Sequence, residues 1–179
     1  SFRAVLSCIR LWAKRRGIYS NKMGYLGGIN CNLLSAFICQ LYPNAAPSVL
    51  LERFFFILKD WEWPTPIMLT QPVDAGHSDA DGRIFEVWDP HGRSRWDRMP
   101  ILTPAYPSMN SSLSVSAPSL MVMQRELALA HERVVAILDA GAADWAPLFE
   151  ASDRRRARQQ YRLVQHSAAP PPHGRGDHD

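Results

Sequence analysis

From Phe2 to Trp61 apolar residues return every three or four positions, a pattern that commits this stretch to packed helices rather than to a sheet. Phe2, Val5, Leu6, Ile9, Trp12 and Ala13 make one apolar face, while Arg3, Arg10 and Lys14 fall on another. Gly17, just past the Arg15-Arg16 pair, is the expected stop, because glycine accepts the left-handed cap and cations oppose the negative helix end. The segment GIYSNKMGYLGGI then reads as a glycine-punctuated connection. A second helix is predicted with Asn30 or Asn32 as its N-cap, through Leu33, Leu34, Phe37, Ile38 and Leu41, ending before Pro43. A third begins near Ser48 and is apolar on most sides from Leu50 to Leu58, so it belongs at the centre of the core. The prolines of WEWPTP end it, and Trp61 and Trp63 anchor the turn.

From Ile67 to about Ser116 helical period is lost, and short apolar pieces such as IMLTQ, RIFEVWDP and MPILTPAYP alternate with polar ones. Loops and short extended segments packed over the helices are expected there, with Asp89 as a turn residue. A long helix is predicted from Pro118 in its first turn to Ala140, with Leu120, Met123, Leu127, Val134 and Leu138 on one face and Gly141 as terminator. Trp145 to Phe149 reads as a further turn, and Tyr161, Leu163 and Val164 as the start of a strand. The tail from Ala168 has no packing signal and is expected to be disordered.

Charge is distributed unevenly along this frame. The net charge is only +3, yet Glu52 is the first acidic residue, after Arg3, Arg10, Lys14, Arg15, Arg16 and Lys22. The opening helices should therefore present an uncompensated positive field suited to a phosphate-bearing ligand. Cys8, Cys31 and Cys39 form no metal-ligand spacing and read as reduced core residues. No stretch approaches the roughly 20 apolar residues of a membrane span, so an intracellular chain without membrane contact is expected. The chain opens at Ser1 inside an amphipathic pattern, which suggests a partial sequence.

The runs RLWAKRRGIYSNKMGYLGGINCNLL, CQLYPNA, RFFFILKDWEWPTP, VWDP, MPILTPAYPSMNSS and DWAPLFE, in this order and spacing, resemble the eukaryotic-type poly(A) polymerases over residues 1 to 152. That resemblance implies a mainly α fold. Residues 1–115 would be part of the helical middle domain. Residues 116–167 would open an incomplete α+β, ferredoxin-like RNA-binding domain, and 168–179 would be a tail. It also implies a nuclear enzyme that adds AMP from ATP to RNA 3′ ends, with 3′-end processing factors as partners.

Candidate ligand residues follow from chemistry and resemblance together. Arg10 and Lys14, four apart on one helical face, can share a triphosphate. The family usually has Lys at the position of Arg10, so the phosphate geometry here should differ. Tyr19 can donate to a phosphate oxygen, and Asn21, two residues on in an extended segment, can pair with a base edge. Gly27 and Gly28 let the backbone approach a flat ligand, and Ile29 can pack on adenine. By resemblance Arg10, Tyr19, Asn21, Gly28 and Ile29 face ATP, and by its spacing from Arg10 so does Lys14. Considered alone, the two cations also fit a solvated helix face, and the glycine pair an ordinary turn. Arg154, Arg155, Arg156 and Arg158 could touch RNA phosphate or simply be solvated.

Two-metal nucleotidyl transfer needs clustered carboxylates. Asp79 and Asp81 have Asp-x-Asp spacing but sit in a loop with no Gly-Ser motif upstream, so they read as a coincidence. The expectation is that Mg or Mn is held by a catalytic domain outside this sequence, that no residue here is catalytic, and that the isolated chain does not add nucleotides. The alternative is a non-catalytic remnant that keeps nucleotide or RNA affinity.

Overall fold

The computed structural model describes residues 1–151 apart from 73–75, 77, 79, 83 and 85. Four α-helices carry it: α1 Phe2–Arg15, α2 Gly28–Leu41, α3 Pro47–Lys59 and α4 Ala117–Asp139. Short 3₁₀ turns at Asn21–Met23, Arg93–Trp96 and Ala146–Phe149 punctuate the connections.

Helix α1 buries Val5, Ile9, Trp12 and Ala13 and ends on Lys14 and Arg15, with Gly17 beyond it at φ 73°. Its Trp12 meets Phe55 of α3 edge-to-face at 4.9 Å. Helix α3 enters with Pro47 in its first turn, where the missing N–H costs nothing, and buries Leu50, Leu51, Phe54, Phe55 and Leu58. Around it α1, α2 and α4 assemble one hydrophobic cluster.

Two expectations are corrected. Helix α2 begins at Gly28 with Gly27 as its N-cap, not at Asn30 or Asn32. Asn30 is instead the third helical residue, and its Oδ1 accepts from the Gly27 N–H at 2.7 Å, so the side chain reaches back to start the helix earlier. The positive field of the first helices is also partly compensated. Arg16 is 3 % exposed, and its Nε donates to Glu126 Oε2 of α4 at 2.7 Å, with Glu126 1 % exposed. Arg16 Nη1 donates to the Glu150 carbonyl at 3.0 Å, so one guanidinium joins the end of α1, the middle of α4 and the segment after the last 3₁₀ turn.

Helix α4 starts on a Ser116 cap that accepts from Ser119 N. It ends before Gly141 at φ 87°. The expected domain boundary at 115/116 falls on this cap. The core is continuous across it: Val115, Met123 and Leu127 lie in the same cluster as Phe54 and Phe55. Between α3 and α4 the chain forms isolated bridges, Ile67 with Ile101 in parallel and Leu102 with Asn110 antiparallel, and the described residues form no longer ladder there. Buried Asn110 stands in for the missing ladder, its Oδ1 accepting from Ile101 N at 3.1 Å and Ser112 N at 3.0 Å. Of the expected ferredoxin-like portion, residues 116–151 are described and hold α4 and the last 3₁₀ turn, whereas residues 152–167, with the strand expected at Tyr161 to Val164, and the tail lie outside the described residues. No helix among the described residues is long and apolar enough to cross a membrane.

Gly24 follows the first 3₁₀ turn at φ 75°, and a Cβ there would lie 2.8 Å from the Ser114 carbonyl and 3.1 Å from Ser119 Oγ. Gly24→Ala should cost about 2 kcal/mol, combining a left-handed backbone with a contact the loop must yield to. Urea unfolding measures this, and an unchanged midpoint would mean that the 114–119 segment moves aside freely.

Candidate functional site

The N-terminal end of α2 is where the predicted ligand residues meet. Gly27 has no side chain with which to cap the helix, so the first-turn amides of α2 have no side-chain acceptor from the N-cap. With the helix dipole, such amides favour an anion. A Cβ built on Gly28 would lie 3.2 Å from Tyr19 Oη and 3.7 Å from Arg10 Nη2. Two side chains from outside α2 thus converge on one glycine, and the glycine is what makes their approach possible. Lys14 stands with Nζ 5.2 Å from the Tyr19 ring centroid, so the cation one turn beyond Arg10 packs on the same phenol.

Arg10 is fixed in place by Asn32, a candidate helix cap on sequence grounds. Its Nη2 donates to Asn32 Oδ1 at 2.7 Å, one turn into α2. Its Nε is buried with no acceptor among the described residues. Arg10 therefore spans from α1 to α2 while keeping unspent donor capacity.

Asn21 sits at the start of the first 3₁₀ turn, with its Cβ 3.3 Å from the position a Cβ on Gly27 would take. Ser114 Oγ lies 2.6 Å from the Asn21 carbonyl and 2.8 Å from its Oδ1, one hydroxyl proton serving two acceptors. Ile29, at the second position of α2, is 49 % exposed, an apolar side chain left at the surface one residue beyond Gly28.

Beneath the glycines, Asn30 is fully buried and ties this end of α2 to the loop that precedes α4. Its Oδ1 accepts from Gly27 N, its Nδ2 donates to Ser111 Oγ at 2.8 Å, and Ser111 Oγ donates to the Ile101 carbonyl at 2.8 Å. Asn30, Asn32 and Ser114 escaped the sequence reading because their partners lie far along the chain. Cys31, next to Asn30, is not a nucleophile: burial pushes its thiol up to about 11, against a partial lowering by the Arg10 charge.

The electrostatics of this corner are simple. Arg10 and Lys14 are grouped here through Gly28 and Tyr19, and no acidic residue occurs in the sequence before Glu52. Arg16 belongs to the core pair with Glu126 and adds little outward field. Among the described residues no three His, Cys, Asp or Glu side chains gather as metal ligands. Arg154, Arg155, Arg156 and Arg158 lie outside the described residues, as does Asp79.

Residues 1–151 match the family model of the poly(A) polymerase central domain. The chain belongs to the poly(A) polymerase family. Nuclear poly(A) polymerase 1 of Arabidopsis thaliana is 45 % identical over 171 residues, covering 94 % of this chain and 23 % of the relative. Poly(A) polymerase of Dictyostelium discoideum is 45 % identical over 153 residues, covering 86 % of this chain and 18 % of that protein. Nuclear poly(A) polymerase 4 of Arabidopsis thaliana is 44 % identical over 151 residues, 83 % of this chain and 19 % of its own length. The chain thus spans less than a quarter of these poly(A) polymerases. The poly(A) polymerase match runs through α4 to the last 3₁₀ turn, which accords with the continuous core across residue 116.

Proposed function

We propose that this chain supplies the ATP-facing wall of a poly(A) polymerase that adds AMP from ATP to RNA 3′ ends in the nucleus. The observation that carries this reading is the convergence of Arg10, Tyr19 and the uncapped start of α2 on Gly28. A triphosphate there would accept from Arg10, Lys14 and the Tyr19 hydroxyl, with the first amides of α2 adding donors. Ile29 would pack on the adenine face, and Asn21, held by Ser114, would address the base edge. The glycine pair gives the flat base room against the backbone.

Divalent metal does not fit the described residues, which gather no carboxylate cluster. We assign Mg or Mn, and the activation of the RNA 3′ hydroxyl, to carboxylates outside this chain. What this chain does in the reaction is bind and orient the nucleotide, supplying positive charge where the triphosphate lies. Arg154, Arg155, Arg156 and Arg158 would add phosphate contacts to RNA, and 3′-end processing factors are the partners that this role implies. No observation favours the non-catalytic alternative.

An ATP titration of the chain followed by amide NMR shifts tests the wall. The shifts should centre on Tyr19, Gly28 and Ile29. Arg10→Ala should weaken binding about tenfold or more, as loss of a charge-assisted contact implies. Arg10→Lys should recover part of it, since charge returns without the planar fork. Shifts centred elsewhere, or equal affinity of parent and Arg10→Ala, would sink the reading.

A further inference from the structure

A second concave surface, of about 220 Å³, opens at the start of α4. Trp63, Pro64, Trp96, Leu120 and Met121 supply its apolar wall, and Arg95 and Arg98 its positive charge. Trp96 closes the 3₁₀ turn Arg93–Trp96 and is 69 % exposed, while Met121, in the first turns of α4, is 70 % exposed. An indole so placed contributes little to the core, which Trp12 already serves from full burial. The Arg95 guanidinium lies 5.2 Å from the Trp96 ring centroid, so a cation already rests on this ring. The carboxylate in the lining, Asp97, accepts from Trp88 Nε1 at 3.0 Å, which holds it within the loop.

We propose that this cavity is a stacking subsite for one unpaired base of single-stranded RNA, with Arg95 and Arg98 on the flanking phosphates. Three properties choose that occupant. An exposed aromatic face takes any base, since every base has a π-face. Two arginines beside it complement a polyanion, and guanidinium forks match phosphate. The volume admits a single flat group and excludes a partner α-helix, which is about 10–12 Å across with its side chains.

The subsite adjoins the nucleotide wall through one segment. Ser114 holds Asn21 at one end of that segment, and Leu120 and Met121 line the cavity at the other. The choice of RNA among single-stranded polynucleotides rests on the function proposed above, whereas the stacking site rests on its own geometry.

Fluorescence anisotropy with labelled oligo(A), using the full chain, tests the subsite. Trp96→Ala should weaken binding about tenfold, the loss of one base–aromatic stack. Trp96→Phe, which keeps an aromatic face, should retain most of the affinity. The double variant R95A/R98A should reduce the slope of log affinity on log salt by about 1 to 2. An abasic oligomer should bind the parent chain and Trp96→Ala alike. Circular dichroism checks that each variant is folded, and the abasic comparison on the parent chain against oligo(A) needs no variant. The proposal is overturned if oligo(A) does not bind, if Trp96→Ala binds it as well as the parent, or if the abasic oligomer binds the parent as tightly as oligo(A). Trp96→Ala should leave the ATP-induced shifts at Tyr19, Gly28 and Ile29 unchanged while it weakens oligo(A) binding. Failure of the wall and failure of the subsite are thereby read separately.

Discussion

Replacing Glu126 by alanine should destabilise the fold by about 3 to 5 kcal/mol, the usual cost of stranding one member of a buried ion pair. Glu126 is 1 % exposed and Arg16 3 % exposed, so the guanidinium would be left without its carboxylate in a site closed to bulk solvent. Arg16 would keep its bond to the Glu150 carbonyl, but Nη2 already lacks an acceptor among the described residues, and Nε would lose its own. A loss of that size is a large share of the whole stability of a typical domain, about 5 to 15 kcal/mol. Urea unfolding followed by tryptophan fluorescence is the measurement. A double replacement, Arg16→Met with Glu126→Leu, should recover much of the loss, because it removes both charges and fills the volume. A loss under about 1 kcal/mol for Glu126→Ala would show that the pair is hydrated in solution.

Gly28→Val should abolish measurable ATP binding while leaving the helix content intact. A Cβ at this position already lies 3.2 Å from Tyr19 Oη, and two further methyl groups would occupy the space between that hydroxyl and Arg10 Nη2. Displacing both groups removes two contacts to a charged ligand, each worth about 1.5 to 3 kcal/mol, which together exceed a hundredfold in affinity. The backbone does not resist the change, since Gly28 is the first residue of α2 and takes an ordinary helical conformation. Calorimetric titration with ATP, with circular dichroism as the control for folding, tests this. Retained affinity in Gly28→Val would place the nucleotide elsewhere on the chain.

Local rules carried most of the fold. The spacing of Val5, Ile9 and Trp12, the glycine after Arg16 and the proline entering α3 are each decided within a few residues, and each is readable from sequence. The long helix is equally legible: its Ser116 cap and Gly141 stop lie within two residues of the predicted ends. What escaped has a common physical cause. Asn30 and Asn32 look like caps because asparagine caps helices often, but Asn30 also donates to Ser111, 81 positions on, and Asn32 accepts from Arg10, 22 positions back. The Arg16–Glu126 pair joins positions 110 residues apart, and nothing in the local pattern at either end announces the other. The candidate site was legible as a set of residues through the family resemblance. Its geometry came from tertiary contacts, with Asn32 orienting Arg10 and Ser114 holding Asn21.

The C-terminal half of α1 has a mechanical consequence. Arg10, facing the proposed nucleotide, and Arg16, locked between α4 and the Glu150 carbonyl, are six positions apart, about 9 Å along a helix at 1.5 Å per residue. Asn30 ties the far side of the same corner to the loop before α4. A nucleotide wall pinned so close to two anchors travels with its support instead of flexing against it. Opening and closing of an enzyme built on this domain should therefore take place at its borders, with the wall delivered to its ligand already shaped.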